Sequence, residues 1–122
     1  MASSVSKKVN NNINVATTQK ILSPVPYGQG FHFFMTDGHY SGETAMSLAA
    51  FRRDLESVDI QSIRYHFYRG DFQKWIRITI GDEELAVRLD NLKARDETLQ
   101  KQLVEVLQKR LLELHALKSD RT

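Results

Sequence analysis

The chain has 122 residues, 41% of them hydrophobic and 26% charged, with no cysteine, which suits one domain with a modest core rather than two. The missing cysteine excludes disulfides, thiol catalysis and zinc sites with Cys ligands, and no apolar run approaches the roughly 20 residues that a membrane-spanning helix needs. The formal charge of +2 is uneven: residues 1–36 carry Lys7, Lys8 and Lys20 and no acid, so all 15 acidic side chains fall in residues 37–122.

The part of the chain expected to fold is therefore close to neutral. That argues against a nucleic-acid-binding core, because counterion release needs a concentrated basic surface. Residues 1–22 are dominated by Asn, Ser and Lys with scattered apolar positions, the composition of a disordered segment. Ser23–Gly30 follows as a Pro/Gly linker. Residues 1–30 together are thus expected to form a disordered basic tail and linker. They lack the charged-then-apolar pattern of a secretory signal, so a cytoplasmic location is the default expectation.

Phe31-His32-Phe33-Phe34-Met35 reads as an extended segment entering the core, and Thr36-Asp37-Gly38 as a turn. His39-Tyr40-Ser41-Gly42-Glu43 is expected to continue as a loop. Thr44 or Ser41 then caps a helix with Ala45, Leu48, Phe51 and Leu55 on its inner face. Val58 lies just beyond, and Arg52, Arg53, Asp54 and Glu56 face solvent. Ser57-Val58-Asp59 is a tight connection into the central stretch.

That stretch, Ser62–Leu89, concentrates the chemistry. Ser62, His66 and Arg69 recur at helical spacing and share a side, with Ile60, Ile63 and Phe67 as the adjoining apolar stripe. Gly70 stops the helix as a glycine C-cap does, and Asp71 is expected to cap the next one. Phe72, Trp75 and Ile76 give that helix its buried face. Gly81 and Asp82 repeat the stop and cap, and Glu83 and Glu84 complement the following helix dipole. Between the two junctions, Trp75-Ile76-Arg77-Ile78-Thr79-Ile80 alternates like a strand. The flanking caps favour helix. Trp75 is expected to be buried against Phe67 and Phe72, with Tyr65 as a further aromatic anchor.

From Asp96 to Lys118 there is neither Gly nor Pro. Leu99, Leu103, Val106, Leu107, Leu111, Leu114 and Leu117 form an apolar face broader than a coiled-coil seam, widened by Val104 and Leu112. Residues 96–118 read either as a long helix lying across the domain or as one that pairs with a second copy through Leu103, Leu107, Leu111 and Leu114. The fold expected overall is mainly α, a compact bundle of four to five helices with a short extended N-terminal segment and a long C-terminal helix. It occupies residues 31–118 as a single domain, and residues 119–122 are expected to be disordered.

Ser41-Gly42-Glu43-Thr44-Ala45 with Leu48 and Phe51, then Ser62-Ile63, Tyr65-His66-Phe67, Asp71-Phe72 with Trp75, and Glu84-Leu85-Ala86 resemble a family of small archaeal and bacterial domains, domain of unknown function 5752. The likeness covers about residues 31–118. It implies a compact, mostly helical module and supplies no activity.

Ser62, His66, Arg69 and Asp71 form the densest polar cluster, and a bonding role between helices outranks a catalytic one. A triad would need a nucleophile elbow and an oxyanion hole, and neither is visible. His32, Asp37, His39 and His66 are spaced too irregularly for a metal site, and no glycine-rich phosphate fingerprint is present. No metal, cofactor or membrane partner is therefore expected. A non-enzymatic protein-interaction or regulatory module, bound to another protein or to a second copy, ranks first. A nucleic-acid- or ribosome-associated factor using Arg52, Arg53, Arg64, Arg69, Lys74 and Arg77 ranks second, and an enzyme centred on His66 third.

Overall fold

The computed structural model describes residues 13–119. Among them are six α-helices, a two-stranded antiparallel sheet and one π-helical turn, a mainly helical fold with more helices than expected. The expectations for residues 1–12 and 120–122 lie outside the described residues.

The first helix corrects the reading of residues 15–22 as disordered. α1 (Val15–Leu22) starts at Asn14, whose side chain accepts from Thr17 N–H at 2.8 Å. It buries Thr18 and Ile21 where it lies against the C-terminal helix. Polar composition outweighs two buried side chains in a window average, yet one apolar stripe is enough once a second helix covers it. The linker is also tied down: Val25 N–H donates to Met46 O at 2.7 Å, and Trp75 Nε1–H donates to Gln29 O at 2.9 Å.

β1 (Phe31–Thr36) pairs with β2 (His39–Ala45) across the two-residue turn Asp37-Gly38. In β1, buried Phe31 and Phe33 alternate with exposed His32. β2 replaces the expected loop. Only its last residue, Ala45, is buried, so it carries no alternation to read. Phe33 pairs with Glu43 but Phe34 with Tyr40, and the extra residues Ser41 and Gly42 form a bulge. Because Thr44 and Ala45 belong to this strand, the cap of α2 (Leu48–Ser57) is neither Thr44 nor Ser41 but Ser47, which accepts from Ala50 N–H at 3.1 Å. Asp54 is buried with Leu48, Phe51 and Leu55 instead of facing solvent. Burial raises its pKa, repulsion from Glu43 adds to the rise, and Arg53 opposes both.

α3 (Ile60–Arg69) is capped by Asp59, which accepts from Gln61 N–H at 2.8 Å. Gly70 and Gly81 take φ of +78° and +88°, the left-handed conformation that ends a helix without a Cβ penalty. Between them α4 (Asp71–Lys74) runs into the π-helical turn Trp75–Ile80, so this segment is helical and has no lateral strand partner. Its buried residues are Trp75, Ile76 and Ile80, while Ile78 is 69% exposed. On a strand Ile76, Ile78 and Ile80 would share one face, so an exposed Ile78 between buried Ile76 and Ile80 excludes that reading, and the four-residue spacing of the buried pair is helical.

α5 (Glu83–Asp90) is capped by Asp82, and α6 (Asp96–Ser119) crosses the molecule. Leu103, Leu107, Leu111 and Leu114 are all buried in the core. The face expected to meet a second copy is thus already covered by the chain itself, by α1, α2 and α5 among others. Gln100 on α6 donates from Nε2 to Leu55 O at 2.9 Å and Val58 O at 3.1 Å, satisfying carbonyls at the end of α2. The aromatic core joins Phe31, Phe33, Phe51, Phe72 and Trp75. The rings facing Trp75 are Phe31 at 5.7 Å and Phe51 at 5.2 Å. Phe67, expected there, is only partly buried and meets Tyr68 edge to face.

Candidate functional site

Ser62 and His66 are one helical turn apart on α3, and both reach the same residue of the hairpin. Ser62 Oγ donates to Phe34 O at 2.8 Å, and His66 Nε2 accepts from Phe34 N–H at 2.8 Å. Phe34 on β1 therefore has both backbone groups satisfied by side chains of a helix, in place of a third strand. Ser62 and His66 do not bond each other. The two converge on a third residue instead.

The other ring nitrogen of His66 lies 2.9 Å from Asp71 Oδ2. An imidazole nitrogen that accepts from an amide carries no proton, so the hydrogen is on Nδ1 and points to Asp71. Arg69 donates from Nε to the same Asp71 oxygen at 3.0 Å. Asp71 is accordingly not a cap. Gly70 occupies the cap position of α4, no side chain bonds there, and the Asp71 carboxylate turns back to α3. The Arg69 guanidinium sits 4.7 Å from the centre of the Tyr65 ring, and Tyr65 OH donates to Asp37 in the hairpin turn.

These groups border a surface cleft of about 360 Å³ walled by Phe31, Phe34, Tyr65, His66, Arg69 and Asp71. Burial lowers the His66 pKa, the hydrogen bond and charge of Asp71 oppose it, and Arg69 lowers it further, for a net downward shift. The bond to Asp37 raises the Tyr65 pKa. A general base needs a free lone pair; that of His66 is held by Phe34 N–H. Ser62 is fully buried, and its proton is directed at a carbonyl. The cluster is built for joining, and its two strongest catalytic candidates have no free atom facing a substrate.

The residues weighed for other chemistry are dispersed. His32 bonds Thr44 through Nδ1 at 2.7 Å, and among the described residues no three His, Asp or Glu side chains converge for a metal ion. Four of the six cations considered for nucleic acid are paired: Arg52 with Glu56, Arg53 with Asp54, Arg69 with Asp71, and Arg77 with Glu83 and Asp90. No helix among the described residues is long and apolar enough to cross a membrane.

A second cluster was missed. Arg110 and Asp82, both almost fully buried, form a two-pronged ion pair with contacts of 2.9 Å each. Asp82 also accepts from Leu85 N–H at 3.3 Å. Glu113 bridges Arg110 at 3.1 Å and Arg88 at 2.8 Å. Burial pushes the Glu113 pKa up, but bonds from Arg88 and Arg110 overcome it and leave it lowered. The signal was Arg110 itself, a charge within the apolar stripe between Leu107 and Leu114.

The fold and site define a small helical domain carrying a β-hairpin pinned by a serine and a histidine. The chain belongs to a family of unknown function, DUF5752, whose model matches residues 29–122. No curated protein and no solved structure matches it.

Proposed function

We propose that this protein is a non-enzymatic adaptor or regulatory module of the cytoplasm that docks a protein partner on the face formed by the β1–β2 hairpin and the exposed side of α3. The observation carrying this reading is the cleft. Its walls include Phe34 and Tyr65, both only part-buried, and exposed Arg69; His66 bonds the Phe34 backbone, and Arg69 lies over the Tyr65 ring. Tyr and Arg side chains fixed beside a concave surface are the composition of interface hot spots. Tyr40, 47% exposed, extends the surface by packing on Phe34 at 5.6 Å.

A photo-reactive side chain placed at Tyr40 or, as a control, at exposed Ala116 tests the reading. One discrete protein captured from position 40 and not from position 116 is the expected result. Equal capture at both, or none at 40, contradicts it.

A further inference from the structure

We propose that the cleft between the hairpin turn and α3 receives a cationic side chain, a lysine or arginine presented by a partner peptide, a reading that rests on the docking role proposed for this face. The walls are aromatic, so charge decides which ligand fits. Arg69 is the only lysine or arginine lining the cleft, and it is shared by two carboxylates. Asp71 contacts its Nε at 3.0 Å, and Asp37 lies 3.7 Å from its Nη1. His66 adds no positive charge while its Nε2 accepts from Phe34 N–H.

Each carboxylate uses one oxygen. Asp71 accepts through Oδ2 and Asp37 through Oδ1, and among the described residues neither second oxygen has a hydrogen-bond donor. Asp37 stands at the rim with its side chain 90% exposed. An incoming ammonium or guanidinium would find unshared carboxylate oxygens for charge-assisted bonds. It would also find aromatic faces, of which Tyr65 already carries one cation. An anionic ligand would instead meet two carboxylates around one matched arginine, a like-charge juxtaposition that opposes binding.

The test titrates the full-length ¹⁵N-labelled chain with a capped hexapeptide bearing two arginines, and with versions carrying glutamate or glutamine in their place. The arginine peptide should shift the amide signals of Phe34, Gly38, Tyr65 and Asp71, and its binding should weaken as salt is raised. Asp37→Asn keeps an acceptor for Tyr65 and a turn-forming Asn-Gly pair, and should weaken that binding by about two- to fivefold. Equal or stronger shifts with the glutamate or glutamine peptide, an unchanged affinity in Asp37→Asn, or arginine-peptide shifts confined to other surfaces would overturn the cation assignment. None of these outcomes touches the broader docking role, which stands or falls with cross-linking at Tyr40.

Discussion

His66 divides its two ring nitrogens between two neighbours, and each half can be removed separately. His66→Ala leaves Phe34 N–H without its acceptor and should cost about 1–3 kcal/mol in a urea titration. His66→Gln offers an amide oxygen where Nε2 stood and should recover more of that loss than His66→Asn, which reaches only toward Asp71. The same geometry sets a pH dependence. Burial holds the folded-state pKa of His66 below its ordinary 6.5, so the unfolded chain binds the proton more readily than the folded one. The contribution is complete above about pH 6.5 and is lost as the pH falls from there toward the folded-state value. Melting temperatures between pH 5 and 8 should show this decline in the wild type, and His66→Gln should flatten the component due to this ring. At this scale the helical spacing of Ser62, His66 and Arg69 was legible in the sequence. Their common target was not, because Phe34 lies 28 and 32 positions away from Ser62 and His66 and a backbone amide leaves no mark in a sequence.

α5 and α6 are joined by charge as well as by leucine. Arg110→Met leaves Asp82 buried and unmatched and should cost about 3–5 kcal/mol, whereas adding Asp82→Asn, which keeps the cap to Leu85, should restore most of it. Chemical denaturation of the single and double variants measures the difference. If both lose the same amount, the guanidinium acts through packing and not through its charge. Glycine stops, the Asp82 cap and 3.6-residue stripes placed α3, α5 and α6 from the sequence, since those signals are local. β2 escaped because it is exposed along most of its length and lacks the alternation that marks a half-buried strand. The π-helical turn escaped because Phe72, Trp75, Ile76 and Ile80 are buried at spacings an ordinary helix also gives, so no side-chain pattern marks the wider turn.

Across the whole molecule, helix α1, upstream of the family region, packs on helix α6 from within it. Ile21 is 2% exposed, and Ile21→Ala should cost about 2–5 kcal/mol if α1 is part of the cooperative fold. A loss under 0.5 kcal/mol, the size typical of a neutral surface change, would mean that α1 adds little to it. Composition alone hid this helix, and the same burial explains why the leucines of α6 are unavailable as a self-association face: the chain needs them for its own core. The proposed docking face depends in turn on the hairpin being held against α3, and the most direct test of that attachment is the state of one ring. Long-range ¹H–¹⁵N NMR of the His66 imidazole at pH 7.5 should show a protonated Nδ1 and a bare Nε2 coupled through its hydrogen bond to the Phe34 amide. A proton on Nε2, or a ring that titrates at the ordinary 6.5 with no coupling to Phe34, would contradict the account.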